Sequence, residues 1–375
     1  MLKEVAKTNT TTGVNNMDGE KPTWLEAQLT QVTRRDIEKV DLADAEGLFS
    51  HVSTHTFHPK TGKKGSEDPK FLSSSVKWKK NIGSKDEFIK DVRLKGMYLV
   101  PAGKHGTKNT CCAAGNCSGP CIDEQGRLPF RVQNMMARNT MLEKYPAESL
   151  ALIAHESHKF FSKTIRDGLH PSLRLDGTSE LHIDNMEAGD YIYGGKDGKY
   201  QEIHQSGKFK GMPMASGSEY GKRYALAARG GRPTPMSRQP NVKRADSWSE
   251  HLTDVRAEEL RSEGRSIALP ATNYGTSTHP KGLPSHIDMK LKREDGKGRT
   301  TSSFPAVDFD TDDFRFKTPE EPSVGVLRAK TPKFGHKLSE KAQRQSAVFL
   351  QEHHPSVGAS VPVDMTRRRP SRKQM

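Results

Sequence analysis

Cysteine and large apolar residues are both scarce in this chain. Only four of its 375 residues are cysteines, and all four lie between positions 111 and 121. No disulfide framework can therefore hold the rest of the sequence together, and a reducing compartment is the default expectation. Leu, Ile, Val and Phe together make up 68 residues, about 18% of the chain, and the net charge is +14. This combination is typical of chains that bury too little apolar surface to order throughout, so we do not expect an enzyme with one large core.

Long apolar runs are also missing. No stretch approaches the roughly 18 apolar residues that a membrane-spanning helix needs, so we expect no membrane partner. The first 21 residues contain no apolar segment of the kind found in secretory signals. These two absences predict a cytoplasmic location.

Short helical patterns are what the sequence does contain. Thr23 and Glu26 form a capping box ahead of a helical pattern that continues to about residue 40. A similar device predicts a second helix from Ser84 to Leu94, and further helices are predicted over 248–264 and 338–352.

The strongest helical pattern covers residues 130–169. Two helices are predicted to meet at Pro146, and the second is predicted to end at Gly168, a residue suited to the position after a helix. We expect this helical hairpin to form a small core, with most of the buried surface supplied by four side chains: Leu152, Ile153, Phe160 and Phe161.

The predicted fold is mostly irregular or extended, with short α-helices, a small central helical hairpin and no large single core. The segments are an N-terminal helix and tail (1–50), a basic and cysteine-containing irregular segment (51–129), the hairpin (130–169), a Gly-rich basic extended segment (170–247), a helix (248–264), a Pro/Gly-rich extended segment (265–337), a helix (338–352) and a basic tail (353–375).

The four cysteines form one cluster in the sequence KNTCCAAGNCSGPC, at Cys111, Cys112, Cys117 and Cys121. Thiolates this close together could surround one Zn²⁺ ion. The spacing differs from that of the usual zinc and iron–sulfur motifs, because two cysteines are adjacent and no second pair follows. A zinc site and a loop of free thiols both stay open as interpretations, and no other cofactor is expected.

Motifs for catalysis are not found. His155 and His158 are three residues apart, whereas the metalloprotease motif H-E-x-x-H places its histidines four apart on one helical face. The glycine-rich stretches do not fit a P-loop, and no nucleophile elbow or kinase set is present. We therefore predict that the protein is not an enzyme.

Basic tracts are the clearest indication of a partner. Residues 60–80 contain seven lysines against two acids, residues 208–244 contain nine basic residues against one acid, and five bases lie near the C-terminus. Such tracts are the electrostatic signature of a polyanionic partner. The residues predicted to bind it are Lys63, Lys64, Lys77, Lys79, Lys80, Lys222, Arg223, Arg229, Arg232, Arg367, Arg368 and Arg369.

Two threonines lie in the same Lys-Thr-Pro context, at Thr318 and Thr331. A proline-directed kinase could modify both, and each phosphate would add about −1.5 to −2 charges among neighbouring bases. The sequence therefore predicts phosphorylation at these two positions, with simple Thr-Pro turns as the alternative.

Two functions remain open. The first is a structural or scaffolding protein that lays extended segments and short helices on a larger acidic assembly, with a tubulin-like polymer and neighbouring assembly proteins as partners. In overall composition the chain resembles proteins that line or decorate axonemal microtubules, although this resemblance covers no defining motif. It implies a location on the cytoskeleton, including the axoneme of a cilium or flagellum. The alternative is a nucleic-acid-binding, nucleocapsid-like protein whose basic tracts neutralise phosphate.

Overall fold

The fold is provided by a computed structural model. It describes residues 23–74, 91–101, 104–110, 132–175, 181, 183, 186–217, 255, 267–271, 285–293, 295, 297–308 and 324–328.

Six α-helices and four strands lie within the described residues up to position 217, and four further strands follow. The α-helices of the described residues are α1 (Trp24–Thr30), α2 (Arg34–Glu38), α3 (Leu42–Thr54), α4 (Val132–Lys144), α5 (Pro146–Arg166) and α6 (Glu187–Gly194). The strands are β1 (Leu72–Ser73), β2 (Val92–Met97), β3 (His170–Arg174), β4 (Ser216–Gly217), β5 (Ile267–Ala271), β6 (His286–Lys292), β7 (Arg299–Asp308) and β8 (Val324–Arg328).

The strands form two four-stranded sheets. In the first sheet the order is β1-β2-β3-β4, with β1 antiparallel to β2 and the other three strands parallel. Parallel neighbours need a long connection, and here α4 and α5 lie between β2 and β3 while α6 lies between β3 and β4. In the second sheet the order is β5-β8-β7-β6, and only β6 and β7 pair antiparallel.

The two helices predicted within residues 130–169 are present from Val132 onward, as α4 and α5. Two helices meet at Tyr145, and Pro146 occupies the first turn of α5. Gly168 has a φ of +71°, a conformation that L side chains rarely adopt, and its N–H donates to the carbonyl of Ile165 at 2.9 Å. The four side chains predicted to be buried, namely Leu152, Ile153, Phe160 and Phe161, are all buried.

The N-terminal prediction needs correction. The single helical pattern after Thr23 is two helices, because Thr33 and Asp36 form a second capping box that starts α2. A third helix, α3, was not predicted from the sequence. It begins after Asp41, whose carboxylate accepts the backbone N–H groups of Ala43 and Asp44.

The helix predicted from Ser84 to Leu94 is wrong at its end, since residues 92–94 belong to strand β2. The described chain is consistent with the predicted mostly irregular fold with short helices, and the segments predicted to be irregular or extended also contain regular elements. The end of α3, β1 and β2 fall in 51–129, β3, α6 and β4 in 170–247, and β5 to β8 in 265–337. Of the predicted helix 248–264 only Val255 is described, and 338–375 lies outside the described residues.

One contiguous core of 30 buried residues unites the first sheet with all six helices. The sequence placed the core in residues 130–169 alone and expected no large single core. That expectation is corrected, because the core extends from Leu25 in α1 to Ala215 beside β4. Phe49 of α3 and Phe71 before β1 pack with ring centroids 4.5 Å apart, which joins the N-terminal helices to the sheet.

This wider core predicts that truncations outside the hairpin are as costly as those inside it. Phe161→Ala should lower the free energy of unfolding by about 3–5 kcal/mol and Leu173→Ala by about 2–5 kcal/mol, because both side chains are fully buried. Ile203→Ala, at a side chain 43% exposed, should change it far less. Chemical denaturation measures the free energy of unfolding of all three variants. If Leu173→Ala behaved like Ile203→Ala, the core would be confined to the hairpin after all.

Candidate anion-binding site

A cleft of about 730 Å³ lies between the second half of α5 and the first half of β2. Its charged lining consists of six cations and two carboxylates: Lys70, Arg93, Lys95, Lys159, Lys163, Arg166, Glu46 and Glu156. The rest of the lining is Ser74, Val92, Leu94, His155, Phe160 and Thr164. We call this site the basic cleft.

Helix α5 supplies one row of cations because of its period. Residues three or four apart lie on the same side of a helix, so Lys159, Lys163 and Arg166 form a stripe. All three are exposed, whereas Phe161 and Thr164 between them are buried against the core. Burial of one face of α5 therefore leaves the basic face open to the cleft.

Strand β2 supplies the second row. Arg93 and Lys95 are two residues apart, and residues at this spacing point to the same side of a strand. The Lys95 ammonium lies 5.4 Å from the centroid of the Phe160 ring, and Arg93 forms an ion pair with Asp167 just after α5. These two contacts hold the strand row beside the helix row.

The carboxylate of Glu156 faces the edge of the sheet. It accepts hydrogen bonds from the backbone N–H groups of Phe71 and Leu72, both at 2.9 Å, and so fixes the start of β1 on α5. Burial raises the pKa of Glu156, and these two hydrogen bonds together with Lys70 oppose part of that rise.

The neighbouring histidines have separate surroundings. His155 lines the cleft, and burial, followed by the nearby Lys159 charge, lowers its pKa. His158 points the other way, with Nε2 at 3.2 Å from the carbonyl oxygens of Tyr191 and Ile192 and its ring stacked on Tyr200. The two rings therefore point into different surroundings and do not converge on one site, in line with their spacing of three residues, which differs from that of the metalloprotease motif.

Positive charge in the cleft is largely uncompensated. Arg93 pairs with Asp167, and Lys70 pairs with Asp68 at 2.7 Å. Among the described residues, the other four cations have no carboxylate within ion-pair distance: Lys95, Lys159, Lys163 and Arg166. Like charges this close repel one another, so an anion placed between the rows would relieve the repulsion.

Two of the sequence-predicted binding residues, Lys63 and Lys64, are described, and neither lines this cleft. Lys63 and Lys64 are exposed in the loop that follows α3, where Lys64 bridges to Phe57. The other predicted polyanion-binding residues lie outside the described residues: Lys77, Lys79, Lys80, Lys222, Arg223, Arg229, Arg232, Arg367, Arg368 and Arg369. The cysteines at 111, 112, 117 and 121 and the threonines at 318 and 331 lie outside them too.

The sequence analysis did not single out the cations of the cleft, because the members of each row are separated by other residues along the chain. The helix row has a readable signal, a basic residue at positions i, i+4 and i+7 opposite a buried face. The strand row has a weaker one, since Arg93 and Lys95 show their common side only once 92–97 is known to be a strand. A search for basic stripes on predicted helices would have found Lys159, Lys163 and Arg166.

A second cluster of interest surrounds His170, which is 1% exposed. Its ring centroid lies 6.4 Å from that of His204 and 5.3 Å from that of Phe209. Within the described part of the chain, no group of three or more His, Cys, Asp or Glu side chains could hold a metal ion. Burial, with a smaller effect of His204, lowers the pKa of His170 to about 3.

This burial predicts a pH dependence of stability. The folded protein keeps His170 neutral, while the unfolded chain protonates it below its ordinary pKa of 6.5. The stabilisation is complete above pH 6.5 and is lost as the pH falls towards 3. His170→Gln should therefore show a shallower loss of stability between pH 6.5 and 5, by up to about 1.4 kcal/mol per pH unit.

Denaturant unfolding at four pH values across this range measures the slope. His55→Gln is the matched control, because His55 is an exposed histidine after α3, and it should keep the slope of the unaltered protein. Identical slopes for all three proteins would contradict the assignment of His170 as a buried neutral imidazole.

Comparisons with known proteins add no relative. No protein family model matches the chain, and neither a curated protein nor a solved structure matches it significantly. In the part of the chain that the structure describes, no helix is both long enough and apolar enough to cross a membrane.

Proposed function

We propose that the protein is a non-enzymatic structural protein that binds an acidic protein polymer, such as a microtubule, through its basic surface. The observation that carries this proposal is the basic cleft, whose lining contains six cations and only two carboxylates. A net charge of +14 on the whole chain acts in the same direction at longer range, since it steers an acidic surface towards the protein.

The chemistry of the cleft favours binding over catalysis. Its lining offers ammonium and guanidinium groups above a floor of apolar side chains, which suits recognition of negative charge. An acidic polymer presents many carboxylates at once, so that several weak contacts act together. The location that goes with this function is the cytoplasm, on the cytoskeleton, with other proteins of the same assembly as neighbours.

Sequence segments beyond the core add to this proposal. Their predicted role is to lie extended on the partner and to bring the remaining basic tracts into contact with it. Because most of those tracts, residues 75–80, 218–244 and the C-terminal bases, lie outside the described residues, this role stays a prediction from the sequence.

Nucleic acid is the alternative partner, because phosphate is also recognised by lysine and arginine. Co-sedimentation with stabilised microtubules at three salt concentrations, beside a gel shift on generic RNA and DNA, separates the two partners. We expect saturable sedimentation and weaker binding to either nucleic acid.

The double substitution Lys159→Glu/Lys163→Glu should raise the apparent Kd for microtubules roughly tenfold, since it reverses two charges of the cleft. Lys39→Glu/Lys144→Glu is the matched control, because it makes the same charge change at two exposed lysines outside the cleft. Failure of the intact protein to sediment, or tighter binding to RNA or DNA with a steep salt dependence, would contradict the proposed function.

A further inference from the structure

The basic cleft has a shape that selects among acidic partners. Its volume of about 730 Å³ is that of a site for a small ligand or a few residues of an extended chain. We propose that the cleft binds a single extended, glutamate-rich peptide segment, such as an acidic tail of the partner polymer. This inference rests on the proposed function and deepens it by naming the part of the partner that is recognised.

The spacing of the cations matches that of an extended peptide. Lys159 and Lys163 are four residues apart on α5, which is about 6 Å along the helix axis. Arg93 and Lys95 are two residues apart on β2, which is about 6.6 Å along the strand. Alternate side chains of an extended peptide are also about 6.6 Å apart, so consecutive carboxylates on one side of it can meet consecutive cations of either row.

The charge balance of the cleft favours an anionic ligand with several carboxylates. Lys95, Lys159, Lys163 and Arg166 have no carboxylate partner among the described residues, and Glu156 is held by backbone N–H groups at the edge of β1. Two or three glutamates would balance most of this charge. Arg166 adds a planar group that can hold one carboxylate through two parallel hydrogen bonds.

The floor of the cleft favours glutamate. Leu94 is the half-buried apolar side chain of its lining, against which the two methylene groups of a glutamate side chain can pack. Aspartate has one methylene group and reaches less far from the peptide backbone towards the two rows of cations. We therefore expect glutamate-rich segments to bind more tightly than aspartate-rich ones.

Single-stranded nucleic acid fits the cleft less well. Proteins that bind single strands stack the bases on accessible aromatic faces. Two aromatic rings line the cleft: Phe160 is 8% exposed with the Lys95 ammonium over it at 5.4 Å, and His155 is half-buried. Trp24 is 55% exposed, but it does not line the cleft, and Lys108 lies over its ring at 4.8 Å. The described lining therefore offers phosphate-binding cations with only one small, partly accessible ring for stacking.

Fluorescence anisotropy with a labelled decaglutamate peptide and the full chain tests this inference. The peptide should bind at low salt. Its Kd should rise at least tenfold with Lys159→Glu/Lys163→Glu and stay within twofold with the control Lys39→Glu/Lys144→Glu. A decaaspartate peptide should bind several-fold more weakly, and unlabelled decauridylate should displace decaglutamate only at higher concentration than decaglutamate itself.

Equal binding of decaglutamate to both double variants would overturn the inference, as would displacement by decauridylate at the same or lower concentration. Thermal melting of the variants checks that the exposed substitutions leave the fold intact.

The two proposals fail separately. Cleft-dependent sedimentation with microtubules, without any binding of decaglutamate, removes this inference alone, whereas cleft-dependent peptide binding without sedimentation removes the proposed function alone.

Discussion

Burial of one face of α5 is the constraint on which the rest of the structure depends. Ile153 and Phe161 on this face are fully buried, and the helix contacts α2, α3, α4, α6, β1 and β3. Phe161 packs edge-on against Tyr200, whose hydroxyl bonds to Ser162 at 2.6 Å. Because α5 joins the N-terminal helices to the parallel sheet, loss of its packing would separate two parts of one core.

The same constraint orients the candidate site. Once Phe161 and Thr164 face the core, the period of the helix places Lys159, Lys163 and Arg166 on the opposite side. The sheet then brings Arg93 and Lys95 alongside, because β2 pairs in parallel with β3, the strand that follows α5. The accumulation of cations is thus a consequence of how the core packs. The cations repel one another, and an acidic ligand would reduce this repulsion.

Much of the local structure could be predicted from the sequence, because the signals were local. The capping box at Thr23, the proline at the start of α5 and the glycine after it each act within a few residues. The break between α1 and α2 depended on a second capping box at Thr33, which the continuous apolar pattern concealed. Strand β2 was concealed too, because the alternation of apolar and polar residues in VRLKGM covers only its first four residues and directly follows a helical pattern.

The candidate site was harder to predict because it depends on contacts between distant residues. Val92 pairs with His170, 78 positions later in the chain, and neither segment alone indicates a parallel partner. Composition directed attention to the densest runs of basic residues along the chain. The cleft instead gathers isolated cations from β2 and α5, and only the fold shows that they share one surface.

Hydrogen–deuterium exchange of the full chain, with and without the acidic polymer, tests whether the basic cleft is the binding surface, because it locates the contact without any substitution. We predict slower exchange on binding in β2, over residues 92–97, and in the second half of α5, over residues 159–166. Unchanged exchange in both segments, with new protection only in other parts of the chain, would contradict the assignment of the basic cleft as the site of binding.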